Sequence, residues 1–157
     1  MQKITTFLWF NNEAEEAAKF YTSVFKDSKI ISTSYYGEGA PLPKGTALVV
    51  TFQLNGQEFM ALNGGPHFKF TEAISLSVAC ETQQELDYYW DKLSAGRSQQ
   101  QCGWLKDKYG LSWQVVPAKL GEWMTDKDHT KSDRVMAAVM KMVKLDIQTM
   151  QDAYNGK

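Results

Sequence analysis

Two histidines and two cysteines are the chain's whole supply of the side chains most used as near-neutral bases, nucleophiles and soft metal ligands. His67 sits between Pro66 and Phe68, where an imidazole could act as a general base beside a cavity or stand as a solvated loop residue. His129 lies in the polar run Asp126-Lys127-Asp128-His129-Thr130 and reads as solvated. Cys80 and Cys102 have no C-x-x-C partner, so they read as small core hydrophobes, with no zinc set and no disulfide framework. Spacing forces no Ser/His/Asp or Cys/His arrangement. Gly37-Glu38-Gly39 offers the G-x-G of a nucleotide or methyl-donor loop, but that loop must open a helix so that the anion meets a helix N-terminus. Here Pro41 and Pro43 follow and the next element reads as a strand, so the segment is a flexible hairpin loop. The methyl-donor site of a Rossmann-type methyltransferase has no motif in this chain.

What remains for chemistry is a set of uncharged groups on strands. If Thr5 faces a cavity, strand alternation turns Phe7 and Trp9 the same way. The same parity from Gln114 brings in Ser112 and Val116, and Ala73, Ser75 and Ser77 form a third wall. Trp104 and Trp113 are core residues by default and aromatic platforms if the cavity is open. Such a lining either fills the interior of a small barrel or receives a small, flat or greasy organic molecule.

The elements that must position these residues come in a repeated order. Ile4 to Phe10 reads as a strand, Asn12 and Glu15 have capping-box spacing, and Ala14, Ala17, Ala18, Tyr21 and Phe25 give one helical face. Strands follow at Ile30 to Tyr36, Thr46 to Leu54 and Gln57 to Asn63, with Asn55-Gly56 as a tight hairpin turn. After Gly64-Gly65-Pro66 the order returns: a strand at Ala73 to Cys80, a capping box at Thr82 to Glu85, a helix carrying Leu86, Tyr89, Trp90 and Leu93, and a stop at Gly96. Three short strands are expected at Ser98 to Cys102, Trp104 to Lys108 and Ser112 to Pro117, with Tyr109-Gly110 as a turn. Leu86 and Trp90 each lie 69 positions after Ala17 and Tyr21, so one βαβββ module is written twice. From Lys119 the pattern is helical, through Met136, Val139, Met140 and Val143 and then Ile147, Met150 and Tyr154. The chain reads as a single domain over 1–157, with module one at 1–64, a linker at 65–72, module two at 73–117 and a helical tail at 118–157.

Length and composition fit that plan. The 157 residues, 43% apolar and 13% aromatic, are enough for a packed core. A net charge of -1 gives no field to recruit nucleic acid or an anionic membrane, and no apolar stretch approaches the roughly 18 residues of a membrane span. The start does not read as a signal peptide, and with two lone cysteines a reducing, cytoplasmic compartment is expected.

With β-α-β-β-β written twice, and Phe20-Tyr21-Thr22-Ser23-Val24-Phe25 closing the first helix, the chain resembles the vicinal oxygen chelate superfamily of glyoxalase and bleomycin-resistance proteins. Within it the likeness is to the PhnB-like family, labelled 3-demethylubiquinone-9 3-methyltransferase. The matching stretches are Asn63-Gly64-Gly65-Pro66, Phe70 to Leu76, Cys102-Gly103-Trp104 through Gln114, and the tail around Arg134-Val135-Met136. The resemblance implies an α+β fold whose two modules form an open, eight-stranded half-barrel around a cavity, with C-terminal helices added. Metal-dependent members carry His, Glu or Gln on the first and fourth strands of each module. Those positions here hold Thr5, Ala73, the Met60 to Leu62 stretch and Gln114. One neutral amide does not hold a divalent cation against water, so no metal and no cofactor are expected, although Glu58 and Glu72 leave a displaced site open. The expected ligand-binding set is Thr5, Phe7, Trp9, Asn63, Ser75, Trp104 and Gln114, of which Trp9, Asn63, Ser75, Trp104 and Gln114 are expected to converge on one pocket. The reading is a homodimeric small-molecule-binding protein, or a metal-independent enzyme on a small organic substrate, with no catalytic residue assigned. A ligand-sequestering dimer of the drug-resistance kind and a metal-dependent isomerase or dioxygenase stay open beside it.

Overall fold

Alternating burial along three of its four strands builds the first sheet. In the computed structural model, which describes residues 2–157, β1 (Thr6–Phe10), β2 (Lys29–Tyr35), β3 (Ala47–Leu54) and β4 (Gln57–Asn63) stand in the order β1-β4-β3-β2. β1 runs parallel to β4, and the other pairs are antiparallel. The β3–β4 turn is Asn55-Gly56, both with positive φ (45° and 82°), which is why those residue types stand there. Leu8, Phe10, Val50, Phe52, Phe59 and Ala61 point to one side of the sheet. The helix α1 (Ala14–Val24) packs there through Ala14, Ala17, Ala18 and Tyr21, all fully buried. The small alanines let the helix lie close to the sheet, and Tyr21 stacks on Phe52 at 6.3 Å.

The chain divides into two compact units, Met1–Phe70 and Thr71–Lys157, and the boundary falls inside the 65–72 segment. The second unit repeats the plan with β5 (Ser75–Cys80), α2 (Gln83–Ser94), β6 (Trp104–Lys106) and β7 (Ser112–Pro117), in the sheet order β5-β7-β6. Half of the predicted box forms at its opening, because the Glu85 carboxylate reaches past the Thr82 cap to the residue before it. The Glu85 amide donates to Thr82 Oγ1 at 3.2 Å, and the Glu85 carboxylate accepts from the Glu81 amide at 2.8 Å. Leu105, Trp113 and Val115 are buried where β6 and β7 pack on α2, whose Leu86, Trp90 and Leu93 are buried in turn.

The fold is α+β with two mixed sheets, and the described residues form seven strands rather than eight. The strand expected at Ser98 to Cys102 is reduced to one bridge between Gln99 and Leu105, followed by a 3-10 turn at Gln101–Gly103. Cys102 (φ 61°) and Gly103 (φ 79°) both adopt left-handed backbone, which a ladder does not accommodate. Their amides donate instead to the carbonyls of Met142 and Val143, each at 2.8 Å. Ala73 likewise lies in a turn before β5, which begins only at Ser75.

The tail folds with the second unit. Its helices are α3 (Leu120–Met124), α4 (His129–Val139) and α5 (Ile147–Asn155), and Asp128 and Asp146 cap the last two. Val135, Leu145 and Met150 are fully buried, and Arg134 donates to the carbonyls of Ala153 and Tyr154 at the end of α5. The single apolar face expected through Val143 is interrupted, because α4 stops at Val139 so that residues 142 and 143 can meet Cys102 and Gly103. Met136, Met140 and Val143 are exposed.

Candidate functional site

Each sheet has one face covered by its helix, and the opposite face carries most of the residues singled out from the sequence. In the first unit Phe7 and Trp9 alternate with the buried Leu8 and Phe10, so they occupy the face away from α1, and Thr5 lies one residue before β1 with the same parity. Met60 and Leu62, opposite Phe7 and Trp9 in the β1–β4 register, share that face. Phe7 is 53% exposed. Trp9 is held firmly: its indole N–H donates to the Gly65 carbonyl at 2.9 Å, and its ring meets Phe68 edge to face at 4.9 Å. Gly64 lies so close that a Cβ there would sit 2.2 Å from the indole. The Gly-Gly pair thus serves as a cradle for one tryptophan.

Asn63 does something else. It is 2% exposed and has the parity of Phe59 and Ala61, toward the helix side. Its side-chain oxygen accepts from the Ala14 amide and its NH2 donates to the Ala47 carbonyl, both at 2.9 Å. The amide is therefore spent on capping α1 and fixing the start of β3, and the Asn12–Glu15 box expected there does not form. Asn63 leaves the set of ligand-facing candidates for that reason.

The second unit brings three expected residues together. Gln114 Nε2 donates to Ser75 Oγ at 2.9 Å across β5 and β7. Trp104 is the cross-strand partner of Gln114 on β6 and so stands on the same face, opposite the side covered by α2. The next pair on that face is Lys106 with Ser112. Lys106 makes an ion pair with Glu72, and this hydrogen-bonded pairing holds the Glu72 carboxyl below its usual pKa. Ser112 is completely buried, and among the described residues its hydroxyl has no hydrogen-bond partner. Lys106 and Ser112 lie outside the expected set. Strand parity with Gln114 signals Ser112, whereas Lys106 needs the β6–β7 register, which the sequence alone does not fix.

The groups with intrinsic reactivity lie elsewhere. His67 and His129 are exposed, the first just after β4 and the second at the start of α4. Cys80 is 1% exposed at the end of β5, and burial, aided by the charge of Glu85, pushes its thiol up to about 12. It borders a cleft of about 110 Å³ with Lys119, Trp123 and Ile147, but a thiol so hard to ionise is a poor nucleophile. Asp107, the fully buried carboxylate, accepts from the amides of Tyr109 and Leu111 and from the Trp113 indole at 2.9, 3.1 and 2.8 Å, which organises the β6–β7 connection.

The donor set does not fit a divalent metal. Among the described residues no three His, Cys, Asp or Glu side chains come together. Gln114, the one side-chain carbonyl at the four superfamily positions named above, is neutral and already bonded to Ser75, while Glu72 is neutralised by Lys106. No helix among the described residues is long and apolar enough to cross a membrane.

Comparison with known proteins agrees with this architecture. The family described as 3-demethylubiquinone-9 3-methyltransferase matches residues 2–116. The PhnB protein from Bacillus cereus is 46% identical, with a TM-score of 0.68 over 73% of this chain and 99% of that one. Protein PA1353 from Pseudomonas aeruginosa is 19% identical, with a TM-score of 0.61 over 74% of this chain and 97% of that one. The fosfomycin resistance protein FosX from Mesorhizobium loti shares the fold at 11% identity and a TM-score of 0.53, over 75% of this chain and 93% of that one. No curated protein matches the chain.

Proposed function

The chain belongs to the 3-demethylubiquinone-9 3-methyltransferase family, the PhnB-like branch of the vicinal oxygen chelate superfamily, and from that premise we propose that it binds a small organic molecule without a bound metal. The observation that carries this reading is the Gln114–Ser75 hydrogen bond on a sheet face shared with Trp104. That face combines a flat aromatic surface with uncharged polar groups, and its one cation is paired. Such a mixture suits a molecule held by stacking and a few oriented hydrogen bonds. The aromatic face of the first unit, with Phe7 and Trp9, has the same character and is tested separately.

Binding without bond-making is favoured over catalysis by a specific feature of that second face. Its titratable pair, Lys106 with Glu72, is mutually neutralised, so no free acid or base stands beside Gln114. The methyltransferase of the family's name is not the activity proposed. Gly37 and Gly39 lie in the turn region between β2 and β3 rather than at the opening of a helix, so they form no methyl-donor loop. Homodimerisation and a cytoplasmic setting belong to the same reading, supported by the exposed Phe7, Ile31, Met136 and Met140 and by two unpaired cysteines.

Native mass spectrometry of protein taken from cells tests the core of the proposal. A co-purifying small molecule, lost on Gln114→Leu or Trp104→Ala with the fold intact, is the expected result. Stoichiometric zinc, nickel, iron or manganese by elemental analysis, lost on Gln114→Ala, would overturn it. Titration with S-adenosylmethionine is expected to give no binding, and light scattering a mass of two chains.

A further inference from the structure

The unpartnered hydroxyl of Ser112 points to the chemical class of the ligand. Three adjacent positions on the β5–β7 face carry uncharged polar groups: Ser75 and Ser112 are register partners, and Gln114 is the next residue of that parity. Two of the three satisfy one another through the Gln114–Ser75 bond. Ser112 is buried to 0% exposure without a partner, a state that buried hydroxyls avoid unless something absent from the protein completes them. Beside it, Lys106 is committed to Glu72, so the position offers a hydrogen bond and no net charge. Trp104 flanks Gln114 on the same face and supplies a flat apolar surface.

We infer that Ser112 is a specificity-determining residue, and that the site takes an uncharged aromatic or otherwise flat molecule presenting one carbonyl or amide oxygen to its hydroxyl. This rests on the reading of that face as a binding surface and narrows it. An anion would have to displace Glu72 from Lys106, while a pure hydrocarbon would leave the Ser112 hydroxyl as it is, buried and unpaired.

Four probes sharing one ring test this: toluene, acetophenone, benzamide and benzoate, each titrated into the full chain and followed by amide chemical shifts. Acetophenone and benzamide should move the resonances of Ser112, Trp104 and the Gln114 side chain, and bind about 3- to 10-fold tighter than toluene or benzoate. Ser112→Ala should erase that advantage and leave toluene binding unchanged. Without probe, its thermal midpoint should be equal or higher, because an unpaired polar group has been removed from the interior. Equal binding of toluene and acetophenone at the same resonances would overturn the inference and leave the binding face standing. Preference for benzoate would overturn the uncharged class. A lower midpoint in Ser112→Ala with unaltered affinities would make the hydroxyl structural. Absence of any shift on this face with all four probes would overturn the inference and the proposed site together.

Discussion

The two sheets were cut from one pattern, and the sides they turn to their helices have stayed alike while the opposite sides have diverged. Against α1 stand Leu8, Phe10, Val50, Phe52 and Phe59, and against α2 stand Leu105, Trp113 and Val115, apolar in both cases. Away from the helices, the first sheet shows Phe7, Trp9, Met60 and Leu62, whereas the second shows Ser75, Ser77, Ser112 and Gln114. Packing constrains the covered sides because each must exclude water at near-crystalline density. The other sides are free of that demand, and there the second module carries hydrogen-bonding groups and the first carries aromatic area.

The same contrast separates the turns. The β3–β4 hairpin depends on the backbone conformation of Asn55-Gly56, whereas the β6–β7 connection depends on one buried carboxylate, Asp107, serving three donors. Asp107→Ala would strand the Trp113 indole and two amides in the interior, and it should cost on the order of 4 kcal/mol in urea unfolding. Asn55→Ala, which forces alanine into left-handed backbone, should cost only about 1 kcal/mol. Equal losses would break the distinction.

A second pair of changes compares the helix starts. Thr82 caps α2 from the adjoining sequence, while Asn63 caps α1 from a strand 49 residues away and also holds the Ala47 carbonyl. Thr82→Ala should therefore cost about 1 kcal/mol, as isolated caps do. Asn63→Ala removes two buried bonds and should cost about 2 to 3 kcal/mol. If Asn63→Ala instead left stability intact and abolished ligand binding, Asn63 would belong to the site after all.

That pair also marks how far the sequence could be read. The duplication, the hairpin at Asn55-Gly56 and the Thr82–Glu85 box are local or periodic, and periodicity is what a single sequence displays. Strand parity put Gln114 with Ser112 and Ser75 with Ser77, whereas the Gln114–Ser75 bond needs the β5–β7 register. Asn63 was misplaced because its partners, Ala14 and Ala47, become neighbours only after β4 docks on β1 and β3. The lost strand at Ser98 to Cys102 has a similar cause. Its apolar and polar residues permit a ladder, and only the carbonyls of Met142 and Val143, some 40 positions later, draw Cys102 and Gly103 into left-handed backbone.

Trp9 offers a sharper test of the aromatic face. Gly64→Ala places a methyl 2.2 Å from the indole, so the ring must turn away from Phe68 and lose its bond to Gly65. We expect a loss of about 1 to 3 kcal/mol, as overpacked sites show, together with a changed tryptophan emission spectrum. An unchanged spectrum would mean that the cradle does not fix the ring.

The smallest expected effect comes from the ends of the two opening strands. Each opening strand ends on a buried residue, Phe10 in β1 and Cys80 in β5, so only the second module encloses an ionisable group there. Burial raises the Cys80 thiol from an ordinary 9.0 to about 12, which means that the folded protein keeps it neutral while the unfolded chain ionises it. Its contribution to stability is therefore complete below pH 9 and declines as pH rises from 9 toward about 12. Cys80→Ala removes that group, so its stability should fall less steeply over this window than that of the parent, with the rest of the alkaline loss shared by both. Iodoacetamide at pH 8 should label the partly exposed Cys102 of the native protein and spare Cys80. Rapid native labelling of Cys80, or identical alkaline slopes for parent and variant, would show that the end of β5 opens to solvent and that the two modules do not differ at this point.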